Sequence, residues 1–120
     1  TGVKNILIGG LAGDALTGGD SNIAIGYNAL SAEDQGDRNI AIGQGALNAQ
    51  NGGGGSQYNV AVGWSALDAA IEGAGTVAVG AASLGALTTG ASNTAVGYQS
   101  LLSLVGGDGN TAIGYQTMDA

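Results

Sequence analysis

A polar residue, a β-branched residue, a small residue, a second β-branched residue and a glycine follow one another again and again along this chain. The phrase reads Asn-Ile-Ala-Ile-Gly at 22–26 and 39–43, Asn-Val-Ala-Val-Gly at 59–63 and Asn-Thr-Ala-Ile-Gly at 110–114. It opens at Asn5, Asn22, Asn39, Asn59, Thr76, Asn93 and Asn110, with a period of 17 residues broken by one step of 20. A fixed period in this range marks like units stacked along one axis. Alternation of β-branched and small residues has the period of a strand. Strands are therefore predicted at Ile6–Ile8, Ile23–Ile25, Ile40–Ile42, Val60–Val62, Val77–Val79, Thr94–Val96 and Thr111–Ile113.

Position 5, counted from each opening residue, is Gly9, Gly26, Gly43, Gly63, Gly80, Gly97 or Gly114, and position 15 is also glycine in every unit that reaches it. Glycine at the end of a short strand predicts a sharp corner. The expected fold is all-β: a parallel β-solenoid, or β-roll, of seven 17-residue coils with one strong strand each. Residues 1–120 form a single repeat array, its coils starting at 5, 22, 39, 59, 76, 93 and 110. Strand spacing gives such a rod a length of about 34 Å.

The second half of each coil is less explicit. Position 9 is usually Leu (Leu30, Leu47, Leu67, Leu84, Leu101), positions 7–12 contain no Val or Ile, and Ser65–Glu72 has a helix-compatible composition ending at Gly73. A helix is about 10 Å wide and cannot stack at strand spacing without bending the array. Extended or irregular structure is favoured there, with a short helical turn as the alternative. The step of 20 leaves three residues to accommodate near Gly52–Gly55, where an outward bulge would keep the flanking coils in register.

All eleven charges fall at positions 10–17: Asp14, Asp68, Asp119, Glu33, Asp34, Glu72, Asp20, Asp37, Asp108, Lys4 and Arg38. One sector of the coil is thus expected to be wet and the other dry. With Ile and Val of positions 2 and 4 turned inward, Ala24, Ala41, Ala61, Ala78, Ala95 and Ala112 would face outward. A small apolar residue on an outer line implies close approach of another surface, such as further copies of the chain.

Composition narrows the function. Charged residues are only 9% and hydrophobic residues 44%, the reverse of a disordered chain. A net charge of −7 with two basic residues disfavours nucleic acid, and no apolar run is long enough to span a bilayer. Cysteine and histidine are absent, which removes disulfides, thiolate metal sites and the common catalytic base and nucleophile. The adjacent carboxylates Glu33 and Asp34 lack a setting that would tune one of them. No enzyme activity, cofactor or metal is expected. The incomplete row Asp20, Asp37, Asp108 is read as solvated loop carboxylates, not as a calcium repeat.

Asn22-Ile-Ala-Ile-Gly-Tyr-Asn-Ala-Leu30 and Asn93-Thr-Ala-Val-Gly-Tyr-Gln-Ser-Leu101 resemble repeats of bacteriophage tail-fibre proteins. Gly36-Asp37-Arg38-Asn39-Ile40-Ala41-Ile42-Gly43 is similar to the head repeats of trimeric autotransporter adhesins, although the present coil is longer. The resemblance implies a left-handed β-roll, a homotrimer, an extracellular, cell-surface or virion location and a role in attachment.

Two rows remain as candidates. Asn22, Asn39, Asn59, Asn93 and Asn110 form either a side-chain ladder between coils or a series of turn residues. Tyr27, Trp64, Tyr98 and Tyr115 share position 6 and form either a ladder that contacts cell-surface glycan or cover for a corner or subunit contact. Three functions fit: a structural fibre or adhesin segment, a subunit stacking end to end into a filament, and a glycan-binding module. The filament reading rests on the ends, since the chain starts at position 14 and stops at position 11 with no capping sequence. A piece cut from a longer array is the other explanation.

Overall fold

The computed structural model describes residues 2–51 and 55–118. Strands β1 (Ile6–Ile8), β2 (Ile23–Ile25), β3 (Gly36–Asp37), β4 (Ile40–Ile42), β5 (Gly55–Ser56), β6 (Val60–Val62), β7 (Val77–Val79), β8 (Thr94–Val96) and β9 (Thr111–Ile113) form two parallel sheets. The larger runs β1-β2-β4-β6-β7-β8-β9 in sequence order, and the smaller pairs β3 with β5. The molecule is a parallel β-solenoid measuring 41 × 24 × 16 Å.

Strand positions agree with the sequence pattern, but strand orientation is reversed. Ala24, Ala41, Ala61, Ala78 and Ala95 are fully buried, whereas the Ile and Val on either side are half-buried or exposed. The cause is the width of the coil. Leu30, Leu47, Leu67, Leu84 and Leu101 already fill the interior from the opposite wall, leaving room for only a methyl group on the sheet side. Position 8 adds Ala29, Ala46, Ala66, Ser83 and Ser100 to the same core.

No helix forms in the second half of the coils among the described residues. Ser65 and Leu67 have φ of 49° and 54°, and the same left-handed positions recur at Asn28 and Leu30 and at Gln99 and Leu101. Two left-handed residues separated by one other interrupt any helical run. Each costs about 1–2 kcal/mol for a non-glycine residue, which burial of a leucine at about 1.5–3 kcal/mol offsets. Coil-to-coil bonds such as Leu30 N–H to Ala46 O (3.0 Å) and Leu47 N–H to Ala66 O (3.1 Å) hold the conformation.

The longer repeat keeps the main sheet in register, with Ile40 opposite Val60 and Ile42 opposite Val62. Part of the glycine run, 52–54, lies outside the described residues. The extra length is not all outward. Gly36 pairs with Gly55 while Ile40 pairs with Val60, so one added residue falls between these pairs, at Gln57–Tyr58. Gln57 turns inward and is buried, and Gln50 Nε2 lies 3.4 Å from its Oε1. Tyr58, with φ of 56°, turns outward beneath the Arg38 guanidinium, 5.7 Å from the ring centre.

The charged sector also needs one correction. Glu33 stands at position 12, where Leu16, Leu87 and Leu104 serve the core in other coils, and it is fully buried. Its carboxylate accepts from the backbone N–H of Gln35 (3.1 Å) and Gly36 (2.6 Å), so a corner supplies what solvent would have.

Candidate binding surfaces

Three surfaces of the rod bear on function: the outer face of the sheet, the seam of asparagines and glycines, and the aromatic row with the notch beside it. The sheet face follows from the inward alanines. Positions 2 and 4 of all seven strands look outward, and every one is Ile, Val or Thr. Ile8, Ile42 and Ile113 are exposed, and Thr94 and Thr111, at position 2, lie on this outer face. Parallel sheets are ordinarily covered on both faces, and solvated strands alternate apolar with polar residues. Among the described residues none is laid as a second layer on this largely apolar outer face.

The asparagines form a ladder. Asn22 Oδ1 accepts from Asn39 N–H at 2.8 Å, Asn39 Oδ1 from Asn59 N–H at 3.2 Å, and Asn93 Oδ1 from Asn110 N–H at 2.9 Å. The amide nitrogens of Asn22, Asn59 and Asn93 donate to the carbonyls of Gly36, Gly73 and Gly107 at the next corner. One side chain thus satisfies a donor and an acceptor of the neighbouring coil, which explains why Asn opens the unit. Among the described residues Asn39 Nδ2 is buried without a partner.

The position-5 glycines Gly26, Gly43, Gly63, Gly80, Gly97 and Gly114 all have φ between 129° and 141°. At Gly63 a Cβ would also lie 2.6 Å from the carbonyl carbon and oxygen of Gly80, so conformation and coil spacing both demand glycine. The position-16 carboxylates are tied to backbone. Asp20 Oδ1 accepts from Val3 N–H (2.7 Å), Asp37 from Asp20 (2.8 Å) and Asp108 from Ala91 (2.8 Å). Among the described residues no cluster of acidic groups has the geometry to hold a metal ion, and no helix is long and apolar enough to cross a membrane.

Tyr27, Trp64, Tyr98 and Tyr115 project from the corner after each strand, and each is about half exposed or more. They do not make one continuous platform. Tyr98 and Tyr115 stack, with centroids 5.6 Å apart and planes 13° from parallel. Gln44 separates Tyr27 from Trp64, and Ala81 separates Trp64 from Tyr98.

Beside Trp64 an open notch of about 550 Å³ crosses three coils, lined by Trp64, Ser65 and Asp68, then Ala82, Gly85 and Ala86, then Leu102 and Ser103. Burial raises the Asp68 carboxyl above its ordinary range, and hydrogen bonds from the Ser65 side chain and the Asp68 and Ala69 backbone offset part of that rise. Asp68, Gly85 and Ser103 stood outside the candidate rows. Their signal in the sequence is Gly85 at position 10, between Asp68 and Leu102 in the flanking coils, in the same coil as Ala81, which interrupts the aromatic row.

Coil, ladder and sheet together define a repeat-built β-solenoid rod. No protein-family model matches the chain, and no curated protein or solved structure matches it significantly.

Proposed function

We propose that the chain is a non-enzymatic structural segment of an extracellular or virion fibre or adhesin, and that it self-associates through the outer face of its sheet. The observation that carries the reading is the orientation of positions 2 and 4: fourteen β-branched residues on seven strands, none of them charged, all directed outward. An apolar patch of a few hundred Å² or more on a soluble chain marks an interaction surface.

A second copy suits this surface for two reasons. Its ridges repeat at the same strand spacing, so two such faces can mesh along their length. All charged residues lie at positions 10–17, so face-to-face packing of chains of net charge −7 keeps the repelling groups apart. The resemblance to tail-fibre and adhesin repeats supports a trimer and an exterior location. End-to-end stacking into a filament is a second reading, favoured by the outer edges of β1 and β9, which among the described residues pair only on their inner sides.

Oxidative cross-linking tests the contact, because the chain has no cysteine of its own. Val62→Cys in the central strand should form an intermolecular disulfide, and Glu72→Cys on the charged sector should not. Equal cross-linking at both positions would contradict the proposed face.

A further inference from the structure

We propose that the notch between Trp64, Asp68 and Leu102 is a binding site for one neutral hexopyranose unit of a glycan. The site does not depend on self-association, since its residues lie at positions 6–11 of the coil and not on the outer sheet face.

The notch exists because one coil carries smaller residues at positions 7 and 10 than its neighbours do. Gly85 stands at the position that holds Asp68 in the coil before and Leu102 in the coil after, and Ala82 stands where those coils carry Ser65 and Gln99. A single methyl group on Gly85 would lie 3.2 Å from Leu102 Cδ1 and 3.7 Å from Asp68 Oδ1, so even alanine would begin to fill the floor. Where the same positions keep larger polar groups, they close on one another, as in the 2.5 Å bond from Ser31 Oγ to Asn48 Oδ1.

The lining has the two halves that a sugar ring requires. Trp64 is 59% exposed, and Ala81, its successor in the row, is too small to cover it, unlike Tyr115 on Tyr98. An uncovered indole face accepts the C–H face of a pyranose, the half-wet setting in which Trp is favoured. The same lining holds a carboxylate, Asp68, and the serines Ser65 and Ser103, side chains of the kinds that receive and return hydroxyl hydrogen bonds. The volume lies in the range of small-molecule sites.

Charge selects the class of sugar. The half-buried Asp68 carboxylate and a net charge of −7 oppose an anionic ring, whereas the hydroxyls of a neutral ring donate to the carboxylate. A purely apolar ligand would leave Asp68 without the donors that a hydroxylated ring brings.

The chain contains one tryptophan, so its fluorescence reports on this notch alone. Titration of the full chain with a panel of neutral methyl hexopyranosides and their short oligomers should give a saturable change with at least one member, at one site per chain. Trp64→Ala, followed by calorimetry with that sugar, should abolish binding. Asp68→Asn should weaken it roughly tenfold or more, the loss expected for a hydrogen bond to a charged acceptor. Gly85→Leu, which installs the residue already present at position 102, should abolish binding while circular dichroism and thermal unfolding show the solenoid intact. A panel with no saturable change, preference for sialylated or sulfated sugars, or undiminished binding by Gly85→Leu would each overturn the proposal.

Discussion

Leu7 and Gly13 face each other across the first coil and exchange the sizes found in the coils that follow. In the second to sixth coils the sheet side carries Ala and the opposite wall Leu, as with Ala24 and Leu30 or Ala41 and Leu47. In the first coil the leucine comes from the sheet, and a Cβ on Gly13 would lie 2.8 Å from Leu7 Cδ2. The pair shows that position 3 points inward toward position 9, and that the coil holds one large side chain per layer at that point.

That complementarity predicts a coupled pair of substitutions. Gly13→Leu alone overpacks the coil and should cost about 1–3 kcal/mol. Leu7→Ala alone should cost about 1 kcal/mol, since Leu7 is part-exposed at the end of the array. The double variant restores the arrangement of the other coils, at a backbone φ of 58° close to the values their leucines adopt. Chemical denaturation should therefore show it to be more stable than the sum of the single effects by about 1 kcal/mol or more. Additive losses would show that the two residues do not share one space.

The Asn ladder has one weak rung. Thr76 accepts from Asn93 N–H through Oγ1 at 3.4 Å, longer than the other rungs, and has no amide nitrogen to donate onward. Thr76→Asn should raise the stability by about 1 kcal/mol, the usual net value of a hydrogen bond. Unchanged or lower stability in urea unfolding would mean that the ladder bonds are not energetically significant.

Corner glycines differ in what they prevent. Gly63→Ala meets the Gly80 backbone as well as an unfavourable φ of 141°, and should cost about 4 kcal/mol or more. Gly55 has a φ of 94° but, among the described residues, nothing within 4 Å of a Cβ, so Gly55→Ala carries only the conformational cost of about 1–3 kcal/mol. Comparison of the two melting temperatures separates coil contact from backbone strain.

Asp68 makes stability depend on pH with a defined sign. Its carboxyl has a raised pKa in the folded chain, so between the unfolded and folded values the native state binds more protons. Its contribution is most favourable below the unfolded value, and stability falls as pH rises toward the folded one. Relative to Asp68→Asn, the wild type should lose stability as pH rises above the ordinary Asp value of about 3.9. A difference that stays constant or runs the other way would contradict burial as the cause.

Much of this fold is legible from a single chain because each coil restates it. The β-branched triplets and the glycine after them place all seven strands, and the period gives their order. Orientation is harder to read, because alternation shows that two faces differ and not which one is inside. Size decides it here, since Ala24 and Leu30 fit one narrow interior where Ile23, Ile25 and Leu30 together would not. The exchange of Leu7 with Gly13 held that information in the sequence. Left-handed Leu67 was not legible, because leucine adopts that conformation only when coil stacking enforces it. The aromatic row was visible, but the notch depends on which side chains are missing across three coils.

Molar mass in solution decides whether the sheet sets its β-branched face against other copies of the chain. Light scattering on the wild-type chain, coupled to size exclusion at several concentrations, should give a multiple of 11.4 kDa. Val62→Lys with Val79→Lys, two outward residues on adjacent strands, should give 11.4 kDa with an unchanged circular dichroism spectrum. A wild-type mass of 11.4 kDa at every concentration, or an undiminished multiple in the lysine variant, would contradict the account.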